Sequence, residues 1–499
     1  MAFSHQYLES IQKNHSFLVK QTHSSRVPNG RSADGTTLFT SSSSNRINTF
    51  VLPSDLLSSS SQDDDCRGPL TLTPQGTLVL PEPSAAIASC PYFALEHPST
   101  QCLLTASTDH PIHLHHAFPQ PLSPENEFDA SIYKQPPPLA TFRLIHSETE
   151  RYTPITSLLW SFPGTHFLAG STNCLSLFDV SRPDLGLSDV PLLTIKTTSS
   201  KGRSNNGAPT VGMKGTVSAL AMQPLSHSDY GNAGSIVAAG TWTRNMGLFD
   251  LHRAGACVAT WNVSQAATLA KIGGRGVLQT IWSPCGRYLV VNERESAGML
   301  VYDVRGTHRL LACLGGRDGE TNQRLSCDVF PGTNAELGGF EVWAGTKDGK
   351  VVVWEGVGMA EGMQERSYDF DVTEKRETAV GGTAMHLSGS VVATCSGSWK
   401  FPDDEDESSD SESELESGSE SGSGSEDDSE DDSEDDESNS SSSESSSEEE
   451  GRRTIQQRRS RPRPPPAVVE ETSLKVWSIT ACNAAESGHQ EEVNEPYET

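Results

Sequence analysis

Four histidines, His110, His113, His115 and His116, fall within the seven residues of "HPIHLHH". Imidazole is the commonest side chain at zinc centres, so the spacing raises a metal site. In an extended strand His113 and His115 share one face while His116 points to the other. No further ligand in the strand completes a tetrahedral set, and the run reads better as a strand beside a loop. The Gly-rich pieces "GGRG" (273–276) and "GSGS" (422–425) lack the strand–loop–helix setting of a phosphate cradle and read as turn and linker. No G-x-S-x-G, P-loop, H-E-x-x-H or C-x-x-C pattern occurs. The ten cysteines are scattered from Cys66 to Cys482 and read as free thiols of a reducing compartment. Neither catalysis nor a metal or cofactor is expected.

The elements around these residues are short strands ending in small residues, separated by turn signals. One plan recurs in "TSLLWSFPGTHFLAGSTNCLSLFDVSRP" (156–183), in 217–255, in "VLQTIWSPCGRYLVVNERESAGMLVYDVRG" (277–306) and in 326–356. Weaker copies lie at 32–53 and 89–118. The spacing of about 45 to 65 residues suits four-stranded blades with loop insertions. Small residues in "LAGS", "VAAGT" and "WAGT" let neighbouring blades pack closely. A solenoid would lack the paired turn signals, and a β-sandwich would not repeat one three-strand plan.

A ring needs its last blade to meet its first, or two sheet edges stay open. "TAVGGTAMHLSGSVVATCSGSWK" (378–400) supplies two strands of a seventh blade, and "SLKVWSI" (473–479) supplies its third. The predicted architecture is all-β: a seven-bladed WD-repeat β-propeller with a long disordered acidic insertion in its last blade. Residues 1–30 form an N-terminal segment, with "HSFLVK" (15–20) as the candidate ring-closing strand. Residues 31–400 hold blades 1 to 6 and the first half of blade 7. The insertion occupies 401–471, the closing strand 472–484, and a disordered tail 485–499.

The formal net charge of −29 is concentrated. Residues 401–450 hold 24 Asp and Glu and no Lys or Arg, so the remaining residues total −5. Alternating Ser and acid without aromatic anchors predicts disorder and sites for acid-directed kinases. The segment is a candidate competitor of RNA, or a ligand for basic proteins such as histones. A simple solubilising spacer is the bland alternative. Its basic end, "GRRTIQQRRSRPRPPP" (451–466), suits nuclear localisation or an intramolecular contact with the acid. No apolar run reaches signal-peptide or membrane-spanning length.

Several of these segments resemble the telomerase Cajal body protein family, including its fungal splicing-associated relatives. "HPSTQCLLTASTDHPIHLHHAF" resembles that family's "ENPIHIWDAF" blade, with His115 and His116 where the family has Trp-Asp. "FLAGSTNCLSLFDVSRP", the "TNQR" of "GRDGETNQRLSCDVFPG", and "VVATCSGSWKFPDDEDESSD" before a late "LKVW" strand also resemble family segments in order. The likeness runs over about residues 30–480, with the first blade least similar. It implies a nuclear WD-repeat scaffold that binds small Cajal-body-type RNA and assists ribonucleoprotein assembly or localisation.

On a propeller, the loops entering first strands and those joining second to third strands share one face. The strand assignment puts Arg151, Lys214, Arg244, Arg275, Arg294, Arg317, Arg324 and Lys347 there, from several blades. Such a ring suits an RNA backbone, with Asn322 and Gln323 of "TNQR" reading base edges and Trp242 and His110 stacking on bases. Residue by residue, ordinary solvated surface is the competing reading. The expected partners are small nuclear or Cajal body RNA and ribonucleoprotein components, with no membrane, and the chain is expected to be a monomer in the nucleus, with the cytoplasm also compatible. The alternative is a protein-only adaptor propeller, either a pre-mRNA splicing factor or a histone-binding scaffold.

Overall fold

The computed structural model describes residues 17–20, 30–57, 71–119, 136–181, 190–198, 212–224, 235–373, 378–400 and 468–479, apart from 43, 147, 307–308 and 333. The acidic insertion, its basic end, "GSGS" and the C-terminal tail lie outside these residues. So does most of the N-terminal segment.

Seven antiparallel sheets form seven blades. Blade 1 holds β2 (Gly30–Arg31), β3 (Thr37–Ser41), β4 (Arg46–Val51) and β5 (Gly76–Val79). Blade 2 holds β6 (Ser84–Ser89), β7 (Cys102–Ser107), β8 (Ile112–His116) and β9 (Ala140–Phe142). Blade 3 holds β10 (Ser157–Trp160), β11 (His166–Ser171), β12 (Cys174–Asp179) and β13 (Leu193–Lys196). Blade 4 holds β14 (Val217–Met222), β15 (Ile236–Thr241), β16 (Asn245–Asp250) and β17 (Ala256–Asn262). Blade 5 holds β18 (Val277–Trp282), β19 (Tyr288–Glu293), β20 (Met299–Asp303) and β21 (Leu310–Leu314). Blade 6 holds β22 (Cys327–Phe330), β23 (Phe340–Gly345), β24 (Lys350–Val357) and β26 (Tyr368–Asp371). A short β25 (Gly362–Gln364), sent out by blade 6, adds in parallel to the outer edge of blade 5.

Blade 7 combines β27 (Ala379–Met385), β28 (Val391–Lys400), β29 (Val468–Ser478) and β1 (Phe17–Lys20). β1 runs antiparallel to β29, with Phe17 opposite Val476 and Lys20 opposite Ser473. The closing strand starts at Val468, upstream of "SLKVWSI". Across the seam, Leu38 and Phe50 of blade 1 pack with Leu474, Val476, Val391 and Ala393 of blade 7. That apolar layer joins the first blade to the last and removes two open edges.

Two repeated contacts bind neighbouring blades. Hydroxyls of innermost strands donate to a carbonyl one blade on: Ser157 to Val217 at 2.7 Å, Ser218 to Val277 at 2.5 Å, and Ser326, just before β22, to Gly381 at 3.1 Å. The small residues read from sequence sit at the same seams. A Cβ on Gly170 would overlap the Ser157 hydroxyl and crowd Val217, one on Gly240 would overlap Val277, and one on Gly345 would overlap Val380. The core is therefore a set of inter-blade layers, such as Phe142, Phe167 and Phe178 in blades 2 and 3.

Candidate nucleic-acid interface

Every basic residue expected on one face lies in a connection to a first strand or in a turn from a second to a third strand. The topology places all of these connections at one end of the ring. The side chains behave differently from one another. Lys214 is exposed, and its carbonyl accepts from Thr243 and from the Asn245 amide. The next turn carries Trp242, 58% exposed, which is high for the largest apolar side chain. Gly276 lets the blade 4 turn come close, because a Cβ there would meet the Trp242 carbonyl oxygen. The Arg275 amide donates to the Arg294 carbonyl, and the Arg294 amide to Gly276. Lys214, Trp242, Arg275 and Arg294 thus stand on linked loops along the rim of blades 4 and 5.

Charges on this rim are partly offset. Arg275 pairs with Glu295 at 2.8 Å, and Lys347 with Asp318 at 2.7 Å. Arg244 makes a bidentate pair with Glu293, both contacts at 2.7 Å. Its backbone is left-handed, at φ 63°, which turns the side chain back toward the blade 5 strand. Burial raises the Glu293 carboxyl above its usual range, and the hydrogen bonds and charge of Arg244 act against that rise. Arg151, Lys214 and Arg294 form no ion pair with the described residues.

Arg317 departs from its expected place. It is 3% exposed, and its guanidinium donates to the carbonyls of Gly345 and Leu325 and to the Asn292 amide oxygen. The blade 5–6 connection dips inward there, so this cation is a structural bridge and offers nothing to a ligand on the face. Arg324 also turns inward and lines a cavity on the ring axis, donating to the Leu278 carbonyl at 3.3 Å. Asn322 is exposed and Gln323 half-buried, beside Arg324. Arg151 lies before β10 in blade 3, and no described contact joins it to that rim.

One exposed cation is not signalled by the strand pattern. A short helix, α1 (Ser264–Leu269), sits in the blade 4–5 connection, and exposed Lys271 follows it at φ 58°. The Ala-containing run "SQAATLAK" carries the helical signal, but it is shorter than two turns of periodic pattern.

His113, His115 and His116 lie on β8, and His110 precedes it. His113 and His115 rings pack edge to face at 5.5 Å. Burial, then the charge of His113, pulls His115 down to about 4. No group of three or more His, Cys, Asp or Glu among the described residues is arranged to hold a metal. All eight described cysteines are free thiols. No helix among the described residues is long and apolar enough to cross a membrane.

No protein-family model matches the chain. Curated proteins do. Telomerase Cajal body protein 1 of Rattus norvegicus is 25% identical over 374 residues, 74% of this chain and 58% of the relative. Guanine nucleotide-binding protein negative regulator 1 of Schizosaccharomyces pombe is 24% identical over 77% of this chain and 82% of its own length. Protein SWT21 of Vanderwaltozyma polyspora is 24% identical over 65% of both chains. The matched region thus spans less than two thirds of the mammalian relatives. Its blades, closed where β1 pairs with β29, make the protein a seven-bladed β-propeller similar in sequence to telomerase Cajal body protein 1 and to these fungal proteins.

Proposed function

We propose that the chain is a non-catalytic nuclear scaffold that binds small RNA of the Cajal-body type and assists ribonucleoprotein assembly. The observation that carries this reading is the exposed Trp242, with Lys214, Arg275 and Arg294 on the loops linked to its turn and Lys271 in the same blade 4–5 connection as Arg275. An indole open to solvent is a stacking platform for any base, and the cations around it suit the phosphates on either side. Asn322 and Gln323 read base edges in this scheme, and Lys347, Arg244 and Arg151 contribute to the longer-range field. The acidic segment 401–450 serves basic protein partners and accepts phosphate from acid-directed kinases. Residues 401–467 act as an insertion within the last blade, since β29 begins at Val468.

The test is binding of purified full-length protein to a small nuclear RNA at two salt concentrations. An RNA reader loses affinity with salt, and the slope reports the phosphates neutralised. Changing Lys214, Lys271 and Arg275 together to Ala should reduce that slope by about two to three counterions. Trp242→Ala should weaken binding by about 1–3 kcal/mol with little change of slope. Weak binding that ignores salt in both proteins would sink the RNA reading and favour the protein-only adaptor.

A further inference from the structure

A cavity of about 160 Å³ lies on the ring axis. Its wall includes Ala86 on β6, Ser157 on β10, Ser218 on β14, Gln279 and Thr280 on β18, and Arg324 from the blade 5–6 connection. A single water needs only about 10–15 Å³ by the same kind of measure, so a polyatomic ligand fits. The four contributing strands are each the edge strand of their sheet, so their inner peptide edges carry no ladder partner.

Two wall residues stand apart from the rest. The hydroxyls of Ser157 and Ser218 are committed to the carbonyls of Val217 and Val277. Thr280 is 4% exposed, and its hydroxyl has no hydrogen-bond partner among the described residues. A buried donor without a partner is disfavoured, and beside a cavity it marks where a ligand completes the set. Arg324 supplies the charge. Burial and then the charge of Arg294 both act against its charged form, bringing it down to about 10, and an anion in the cavity offsets both. A guanidinium presents a planar fork of donors that matches the oxygens of a phosphate.

We propose that the axial cavity binds a phosphate-class oxyanion, with the Arg324 guanidinium and the Thr280 hydroxyl as its donors. The phosphate comes either from a small free phosphate or from the backbone of an RNA lying on the adjoining face. The site uses neither Trp242 nor the exposed lysines of the rim, so it can hold when the RNA reading fails.

Calorimetric titration of the full-length protein with inorganic phosphate, in chloride buffer of matched ionic strength, should show one saturable site per chain. Thr280→Val keeps the wall's shape, and it should weaken phosphate about fivefold through loss of one hydrogen bond. Arg324→Gln should abolish the site. No saturable heat, or wild-type affinity in the folded Thr280→Val protein, would overturn the proposal. Repeating the titration with RNA already bound identifies the source. Loss of the phosphate site assigns the occupant to the RNA backbone, and its persistence assigns it to a small free anion. Trp242→Ala should weaken RNA binding and leave phosphate binding unchanged, so the two readings fail separately.

Discussion

The guanidinium of Arg317 donates to the Asn292 amide oxygen at 2.8 Å, bridging blades 5 and 6 with no carboxylate partner among the described residues. Carbonyls of Gly345 and Leu325 complete its shell, and burial pulls the group down to about 10. A buried cation held only by neutral acceptors is a device for position, because its desolvation is costly and removal takes this donor from the Gly345 carbonyl and the Asn292 amide oxygen, while the Leu325 carbonyl keeps the Asn292 amide. Arg317→Met should lower stability by about 3 kcal/mol in urea unfolding. Arg317→Lys should recover only part, since one ammonium cannot span the same fork. A wild-type midpoint for Arg317→Met would show that the bridge contributes nothing.

A second inter-blade link joins charges of opposite sign. Glu293 is 4% exposed, and Arg244 closes over it from the neighbouring blade. Removing one member of such a pair leaves an uncompensated buried charge. Arg244→Ala is therefore expected to cost about 3–5 kcal/mol. The double change Arg244→Leu with Glu293→Met should regain most of that loss. Additive losses in the double-mutant cycle would show that the two side chains are not coupled.

Close approach of backbones sets the spacing of the blades. Gly240 on β15 faces Val277 at the head of β18, with no room for a methyl group. Gly240→Ala should destabilise by about 1–3 kcal/mol through overpacking. Val277→Ala in the same protein should relieve part of that cost. If Gly240→Ala unfolds at the wild-type temperature, the blades are not in such tight contact.

This seam explains what the sequence made legible. "VAAGT" is small for a reason of packing, and it repeats because each blade meets the next in the same way. Blade count, strand order and the split last blade follow from that repetition. Side-chain direction in the connections does not repeat. Arg317 and Lys347 both sit in loops of the same face, yet one is a buried bridge and the other is a half-exposed cation paired with Asp318. Nothing in "GGRDGETNQR" marks which arginine turns inward, because the acceptors that draw it in, Asn292 and Gly345, lie on other strands. Lys271 escapes notice for a similar reason, since the helix that presents it is only six residues long.

The histidines of β8 give the fold a dependence on acidity. His115 titrates near 4 in the folded protein because of burial and the neighbouring His113, which is itself lowered by burial and by His110. An unfolded imidazole titrates near about 6.5. The folded state therefore binds fewer protons between these values, and stability is fully present above the unfolded value. It falls as pH drops through this window and levels off below the folded value. The contribution of His115 reaches about 3 kcal/mol at most. Urea midpoints of wild type and His115→Phe should diverge in pH dependence between pH 6.5 and 4. Parallel profiles would show that His115 protonates as easily in the fold as outside it.

The last blade tests whether the acid belongs to the fold. β28 ends at Lys400 and β29 begins at Val468. The two strands are joined by the Ser396 and Ser473 hydroxyls at 2.8 Å and by Trp477 donating to Thr394 at 2.9 Å. Those contacts need a connection between the strands but no particular one. Replacing residues 402–466 with a Gly/Ser linker of about ten residues should preserve cooperative unfolding and raise stability by about 1–2 kcal/mol, from a cheaper loop closure. Stopping the chain at Phe401 is a different operation. It removes Leu474, Val476 and Trp477 from the seams with blades 1 and 6, and it leaves β28 as an open edge. The truncated protein should lose its cooperative transition and aggregate. Loss of folding in the linker variant would make the insertion part of the fold, and a normal transition in the truncated protein would make β29 dispensable to it.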